Sequence, residues 1–119
     1  LRAIRVTKSN LEQAGLKIAV ELSCRNFNNI EAPSKEGVLI TNPPYGVRIG
    51  EDEDLAEAYP LWASTMKKKL SGWRTYFLTS DLRMPKLMRL SPSKKTPLYN
   101  GALDCRLFEI KIVAGSNRI

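Results

Sequence analysis

Gly37-Val38-Leu39-Ile40-Thr41-Asn42-Pro43-Pro44-Tyr45-Gly46 decides how this chain is read. Gly37 to Thr41 is a short, continuous apolar run of the kind that forms a buried parallel strand. Pro43 and Pro44 then remove two successive backbone donors and forbid helix, so the strand stops abruptly. A polar residue, Asn42, is left at its carboxyl end, where α/β sheets place their ligand sites.

The flanking sequence supplies the rest of such a sheet. On the amino-terminal side, Leu1 to Ala14 reads as a helix with Ile4, Leu11 and Ala14 on one side, and Gly15 suits the position after its last turn. Ile18, Val20, Leu22 and Cys24 alternate with polar or small residues, the period of a strand. Asn26 to Ser34 reads as loop. On the carboxyl-terminal side, the acidic run Glu51-Asp52-Glu53-Asp54 precedes a helical pattern that ends near Leu70. Acids at its start and Lys67 to Lys69 at its end both suit the helix dipole. Pro60 inside the pattern is expected to kink or split it. Trp73 to Thr79 is aromatic and β-rich, a second buried strand. Ser80 or Asp81 is placed to cap a short helix through Leu90, and Ser91 to Thr96 reads as a basic loop. Asn100-Gly101 is a hairpin signal, since both residues tolerate positive φ. The last strand, Leu103 to Val113, changes phase, with Leu103, Cys105 and Leu107 on one face and Phe108, Ile110 and Ile112 on the other. A bulge or burial on both faces accounts for that. Strands alternating with helices predict an α/β, mostly parallel sheet closed by an antiparallel hairpin.

Composition narrows the chemistry. The 119 residues contain no histidine, which excludes His-based triads and His-rich metal sites. Asp52 to Asp54 lack the spacing of a calcium loop, so no metal is expected. No apolar run is long enough to span a membrane. Cys24 and Cys105 lie far apart in apolar segments and read as two free, buried thiols of a reducing, cytoplasmic protein. The net charge of +7 is uneven: residues 1–59 carry 7 basic and 9 acidic side chains, residues 60–119 carry 12 and 3. The basic half suits a polyanion. Lys67 to Lys69, Arg74, Lys86, Arg89, Lys94 and Lys95 are candidate phosphate contacts, with a solvated surface as the alternative. Trp62 and Trp73 read as core.

Asn42-Pro43-Pro44-Tyr45 has the groups that amine methylation requires. Asn42 offers a side-chain carbonyl and Pro43 a backbone carbonyl in a rigid segment, two acceptors for the hydrogens of a planar amine. Tyr45 offers a ring on which a base can stack, worth about 1–3 kcal/mol. The alternative is a tight turn with no chemistry.

Around this motif the chain resembles a known family. The Gly37 to Gly46 stretch, Arg48, Gly72-Trp73, the Leu98 to Leu107 hairpin, and Asn10, Ala14 and Gly15 are similar to the large-subunit (23S) ribosomal RNA guanine-N2 methyltransferases of the THUMP-containing family, proteobacterial type, some of which have been labelled N6-adenine-specific DNA methylases. The resemblance covers nearly the whole chain. It implies a Rossmann-like class I core using S-adenosylmethionine (SAM), with large-subunit rRNA as partner. Asn42, Pro43, Pro44 and Tyr45 would form the catalytic clamp on a flipped guanine, and Asn26 and Asn42 would contact SAM. The sequence departs from the family where Asn26 replaces an acid, Val47 replaces Glu, and Pro60 interrupts a helix. The glycine-rich SAM motif and the RNA-binding domain are absent from residues 1–119. With Leu1 rather than Met at the start, the chain is expected to be the carboxyl-terminal part of a methyltransferase domain, inactive alone and prone to homodimerise through an unpaired sheet edge. An adenine-N6 DNA methyltransferase and a non-catalytic nucleic-acid-binding module are the alternative readings.

Overall fold

The computed structural model describes residues 1–43 and 55–113. They fall into two units, Leu1–Ile30 and Glu31–Ile119.

In the first unit, helix α1 spans Arg2–Gln13. Its end is a Schellman motif: Gly15 takes φ +74°, its N–H donates to the Glu12 carbonyl at 3.2 Å, and the Leu16 N–H donates to the Leu11 carbonyl at 2.9 Å. Only glycine holds that φ without a Cβ penalty. The strand expected over Ile18 to Cys24 does not form. Lys17–Ala19 make a 3-10 turn and Val20 is extended without a ladder. An alternating pattern becomes a strand only beside a partner, and this unit contains none among its described residues. Cys24 is exposed, against the expectation of two buried thiols, while Cys105 is buried; neither is in a disulfide.

The second unit is built on a four-stranded sheet, ordered β1-β2-β4-β3. Strand β1 (Val38–Thr41) runs parallel to β2 (Arg74–Thr79), with Val38 beside Arg74 and Thr41 beside Phe77. β4 (Leu103–Lys111) lies antiparallel to β2 and pairs on its other side with β3 (Lys94–Asn100). The fold is the α/β sheet with a closing antiparallel hairpin expected from the sequence, but among the described residues one of its three pairings is parallel, where a mostly parallel sheet was expected. β1 is an edge strand rather than a doubly buried one, and Ile40 is 75% exposed. The basic loop shortens, because Lys94 to Thr96 belong to β3. The hairpin turn moves one residue: Asn100 pairs with Leu103, so Gly101 and Ala102 form the loop. Gly101 carries φ +62°, the glycine-first signature of a type II′ turn. The phase change in β4 involves no bulge, since its register is unbroken against both neighbours; Glu109 is buried on one face, Phe108 and Ile110 on the other.

Helix α2 spans Tyr59–Lys69 and a 3-10 turn, Leu55–Ala58, precedes it. Pro60 therefore splits the expected helix and sits in the first turn of α2, where a missing N–H costs nothing. Glu51 to Asp54 lie outside the described residues. Helix α3 is short, Met84–Met88. Tyr59, Ala63, Met66 and Leu70 join Met84, Met88 and Leu90 in the core with Phe77, Phe108, Ile110 and Ile112. Thr75 is buried there too, its hydroxyl satisfied by donating to the Ile110 carbonyl at 2.8 Å. Trp62 and Trp73 are half-buried rather than core.

Candidate functional site

The carboxyl ends of β1 and β2 lie side by side, since the two strands are parallel neighbours. Asn42 leaves β1 at this end with its side chain exposed, and Pro43 follows, half-buried. Pro44 and Tyr45 lie outside the described residues. β1 is held in place from its start: Trp73 covers Gly37, and its Nε1 donates to the Ser34 carbonyl at 3.1 Å. A Cβ on Gly37 would come within 2.7 Å of the Trp73 ring, so that contact needs glycine.

The end of β2 is fixed by a network that the sequence reading took only as a helix cap. The Asp81 N–H donates to Thr79 Oγ1 at 2.9 Å. Asp81 Oδ1 accepts from the Arg83 N–H at 3.1 Å and from Arg83 Nε at 2.8 Å. Oδ2 accepts from Arg83 Nη2 and from the Tyr59 hydroxyl, each at 2.9 Å. The Arg83 hydrogen bonds, helped by Tyr59, hold the Asp81 carboxyl below the usual carboxylate range despite its burial. The signal was available as Asp and Arg two residues apart, but Tyr59, 22 positions away, could not be linked to them by spacing.

A second carboxylate sits on the other face of the sheet. Glu109 accepts from Ser93 Oγ and from the Tyr76 hydroxyl, each at 2.6 Å. Those two bonds, Ser93 foremost, lower the Glu109 carboxyl below its ordinary value, and donation to Glu109 raises the Tyr76 phenol. With each carboxylate oxygen accepting one hydrogen bond, this cluster is a structural clasp between β2, β4 and the segment before β3.

Asn26, the expected contact for SAM, belongs to the Leu1–Ile30 unit and Asn42 to the other. Asn26 caps a 3-10 turn, Phe27–Asn29, by accepting from the Asn28 N–H at 2.9 Å. An amide oxygen has two lone pairs, so one acceptor site remains for an exocyclic amine. Of the candidate phosphate contacts, Lys67, Lys86 and Arg89 line a groove of about 850 Å³ between α2 and α3. Lys69 instead pairs with Glu31 at 2.8 Å. Among the described residues no group of three or more His, Cys, Asp or Glu is arranged to hold a metal ion, and no helix is long and apolar enough to cross a membrane.

Residues 1–109 match the family described as RMKL-like, methyltransferase domain. The chain belongs to that methyltransferase family. A ribosomal RNA large subunit methyltransferase K/L of Shewanella sp. (strain W3-18-1) is 37% identical over 117 residues, which is 98% of this chain and 16% of the relative. The chain thus spans about a sixth of the length of the curated relatives it matches. Among solved structures, the methyltransferase SMU.472 complexed with SAH superposes with a TM-score of 0.84 at 29% identity, covering 93% of this chain and 29% of that one. A methylase of Clostridium difficile 630 gives 0.80 at 27% identity, covering 91% and 28%. Family membership accounts for a Rossmann-like sheet whose parallel strands end at Thr41 and Thr79, just before Asn42 and Asp81.

Proposed function

We propose that this chain is the carboxyl-terminal part of a methyltransferase domain that transfers a methyl group from SAM to the exocyclic N2 amine of a guanine in large-subunit ribosomal RNA. The observation that carries the proposal is the placement of Asn42, exposed at the carboxyl end of a parallel strand and followed by Pro43. The relative named as a large subunit methyltransferase, similar along 98% of the chain, supports the substrate.

In this reading the side-chain carbonyl of Asn42 and the backbone carbonyl of Pro43 accept the two hydrogens of the target amine. That fixes the amine and turns the nitrogen lone pair toward the donor. Tyr45 stacks on the base, which has left its helix. Asn42 cannot ionise, so it orients and does not act as a base; the methylated nitrogen sheds its proton readily without one. SAM, when bound, supplies an electrophilic methyl group. Of this chain's residues, Asn26 has a remaining acceptor that suits the adenine amine of SAM. The glycine-rich SAM motif and the RNA-binding domain would be supplied by the rest of a longer, cytoplasmic protein. Among the described residues β1 is an edge strand of the sheet, which supports the expectation that the 119-residue segment alone self-associates.

The test is methyl transfer from labelled SAM by the full-length protein to unmodified large-subunit rRNA, small-subunit rRNA and duplex DNA, with nucleoside analysis. N2-methylguanosine from large-subunit rRNA alone is expected. Label in adenine would move the function to an adenine-N6 methyltransferase, and no label on any substrate would leave a nucleic-acid-binding module.

A further inference from the structure

The β3–β4 hairpin reaches past the end of the sheet on the side where Asn42 lies. β4 pairs Arg106 with Thr79, the last residue of β2, and then continues through Cys105, Asp104 and Leu103. At a rise of about 3.3 Å per residue, the hairpin extends roughly 10 Å beyond β2. β1 ends level with Phe77, and Asn42 and Pro43 follow at that same end. β3 stands three strands from β1 in the sheet order, roughly 14 Å away at ordinary spacing.

Tyr99 lies on this projection, while Lys95 is level with Phe77 and Pro97 with Thr79. Tyr99 pairs with Asp104, Pro97 with Arg106 and Lys95 with Phe108, so Lys95, Pro97 and Tyr99 share one face with Asp104, Arg106 and Phe108. All seven residues of β3 are exposed, and Tyr99 is 73% exposed at the outer end. Arg106 is fixed by Asp104 at 2.6 Å and by the Cys105 carbonyl at 2.9 Å, which holds it against the sheet. A large ring in water loses nothing if replaced by a polar residue, so folding does not explain Tyr99. An exposed ring beside a fixed guanidinium and a lysine is what a single strand of nucleic acid requires: a stacking face for a base and cations for its phosphates. The surplus of basic side chains in residues 60–119 gives the surrounding field the matching sign.

We propose that this hairpin face, Tyr99 with Lys95 and Arg106, binds single-stranded RNA next to the target nucleotide. Tyr99 stacks on a base a few nucleotides from the one held at Asn42. The assignment rests on the reading of the chain as acting on RNA, and it adds a contact outside the amine clamp.

The experiment is fluorescence anisotropy of the full-length protein with a labelled oligouridylate, which offers bases and phosphates but no guanine. Tyr99→Leu should weaken binding about tenfold and Tyr99→Phe should leave it nearly unchanged. Lys95→Gln should lower the salt slope by about one. Melting curves check that each variant is folded. No binding by the wild type, equal affinity for a duplex, or unchanged affinity in Tyr99→Leu would each overturn the proposal. Methyl transfer to rRNA with Tyr99-independent binding would remove the hairpin contact and leave the proposed reaction standing. Tyr99-dependent binding without methyl transfer would do the reverse.

Discussion

Tyr59 and Asp81 join the first turn of α2 to the end of β2 through one hydrogen bond of 2.9 Å, donated by a phenol that is wholly buried. The same carboxylate holds Arg83 through two side-chain bonds. The loop that follows β2, beside the end of β1, thus depends on a residue from a different helix.

Tyr59→Phe keeps the ring and removes that bond. It should destabilise the protein by about 1.5–3 kcal/mol, the ordinary worth of a bond to a charged group. Urea denaturation of the two proteins measures it. A midpoint equal to that of the wild type would show the bond contributes nothing.

The depressed Asp81 carboxyl makes part of the stability pH-dependent. A group whose folded pKa lies below its unfolded value stabilises above the unfolded value, and that contribution is lost as pH falls through the folded value. Stability should therefore decline as pH drops below the ordinary carboxylate range. Asp81→Asn, less stable near neutrality, should show a flatter decline. Parallel acid titration curves for the two would contradict this.

Gly37→Ala places a methyl within 2.7 Å of the Trp73 ring. Overpacking of this kind costs about 1–3 kcal/mol. The added substitution Trp73→Leu should recover part of the loss, and a double-mutant cycle by urea denaturation gives the coupling. Additive effects would mean the contact does not govern the site.

Arg89 ends α3 with φ 56° and ψ 40°, the left-handed conformation, which costs a side-chain-bearing residue about 1 kcal/mol. Arg89→Gly should raise the melting temperature modestly while removing a cation from the α2–α3 groove. A lowered melting temperature would show that Arg89 contributes more by its contacts than it loses by its backbone.

Asn42→Ala should reduce methyl transfer by the full-length protein about 10²–10³-fold, the usual effect of deleting one preorganised polar contact. SAM affinity, measured by calorimetry, should remain within about twofold. Normal turnover in this variant would remove Asn42 from the clamp.

Several elements were legible because their signals are local. Gly15 ends α1, Pro43 follows the end of β1, and Gly101 turns the hairpin, each through its own backbone preference. The strand expected over Ile18 to Cys24 was misread because alternation records a tendency that only a neighbouring strand can realise. The exposure of Ile40 likewise depends on what lies beside β1, which the apolar run does not encode. Within the candidate site, Asn42 and Pro43 were visible as a motif. The Tyr59–Asp81–Arg83 network was not, since it is assembled by a helix returning to a strand end. Tyr99 gained its meaning from the β2–β4 register, which shows how far the hairpin projects.

Pro43 has a second consequence, for the order in which the chain is made. β1 leaves the ribosome before β2, and their pairing must bridge residues 38 and 74, whereas β3 and β4 close across a two-residue turn. Long closures come late, so Val38 to Thr41, an apolar segment of high β-propensity, must wait for β2. Prolines beside such segments act as gatekeepers against cross-β stacking. Pro43, proposed to accept from the amine, stands by its position beside β1 as such a gatekeeper as well.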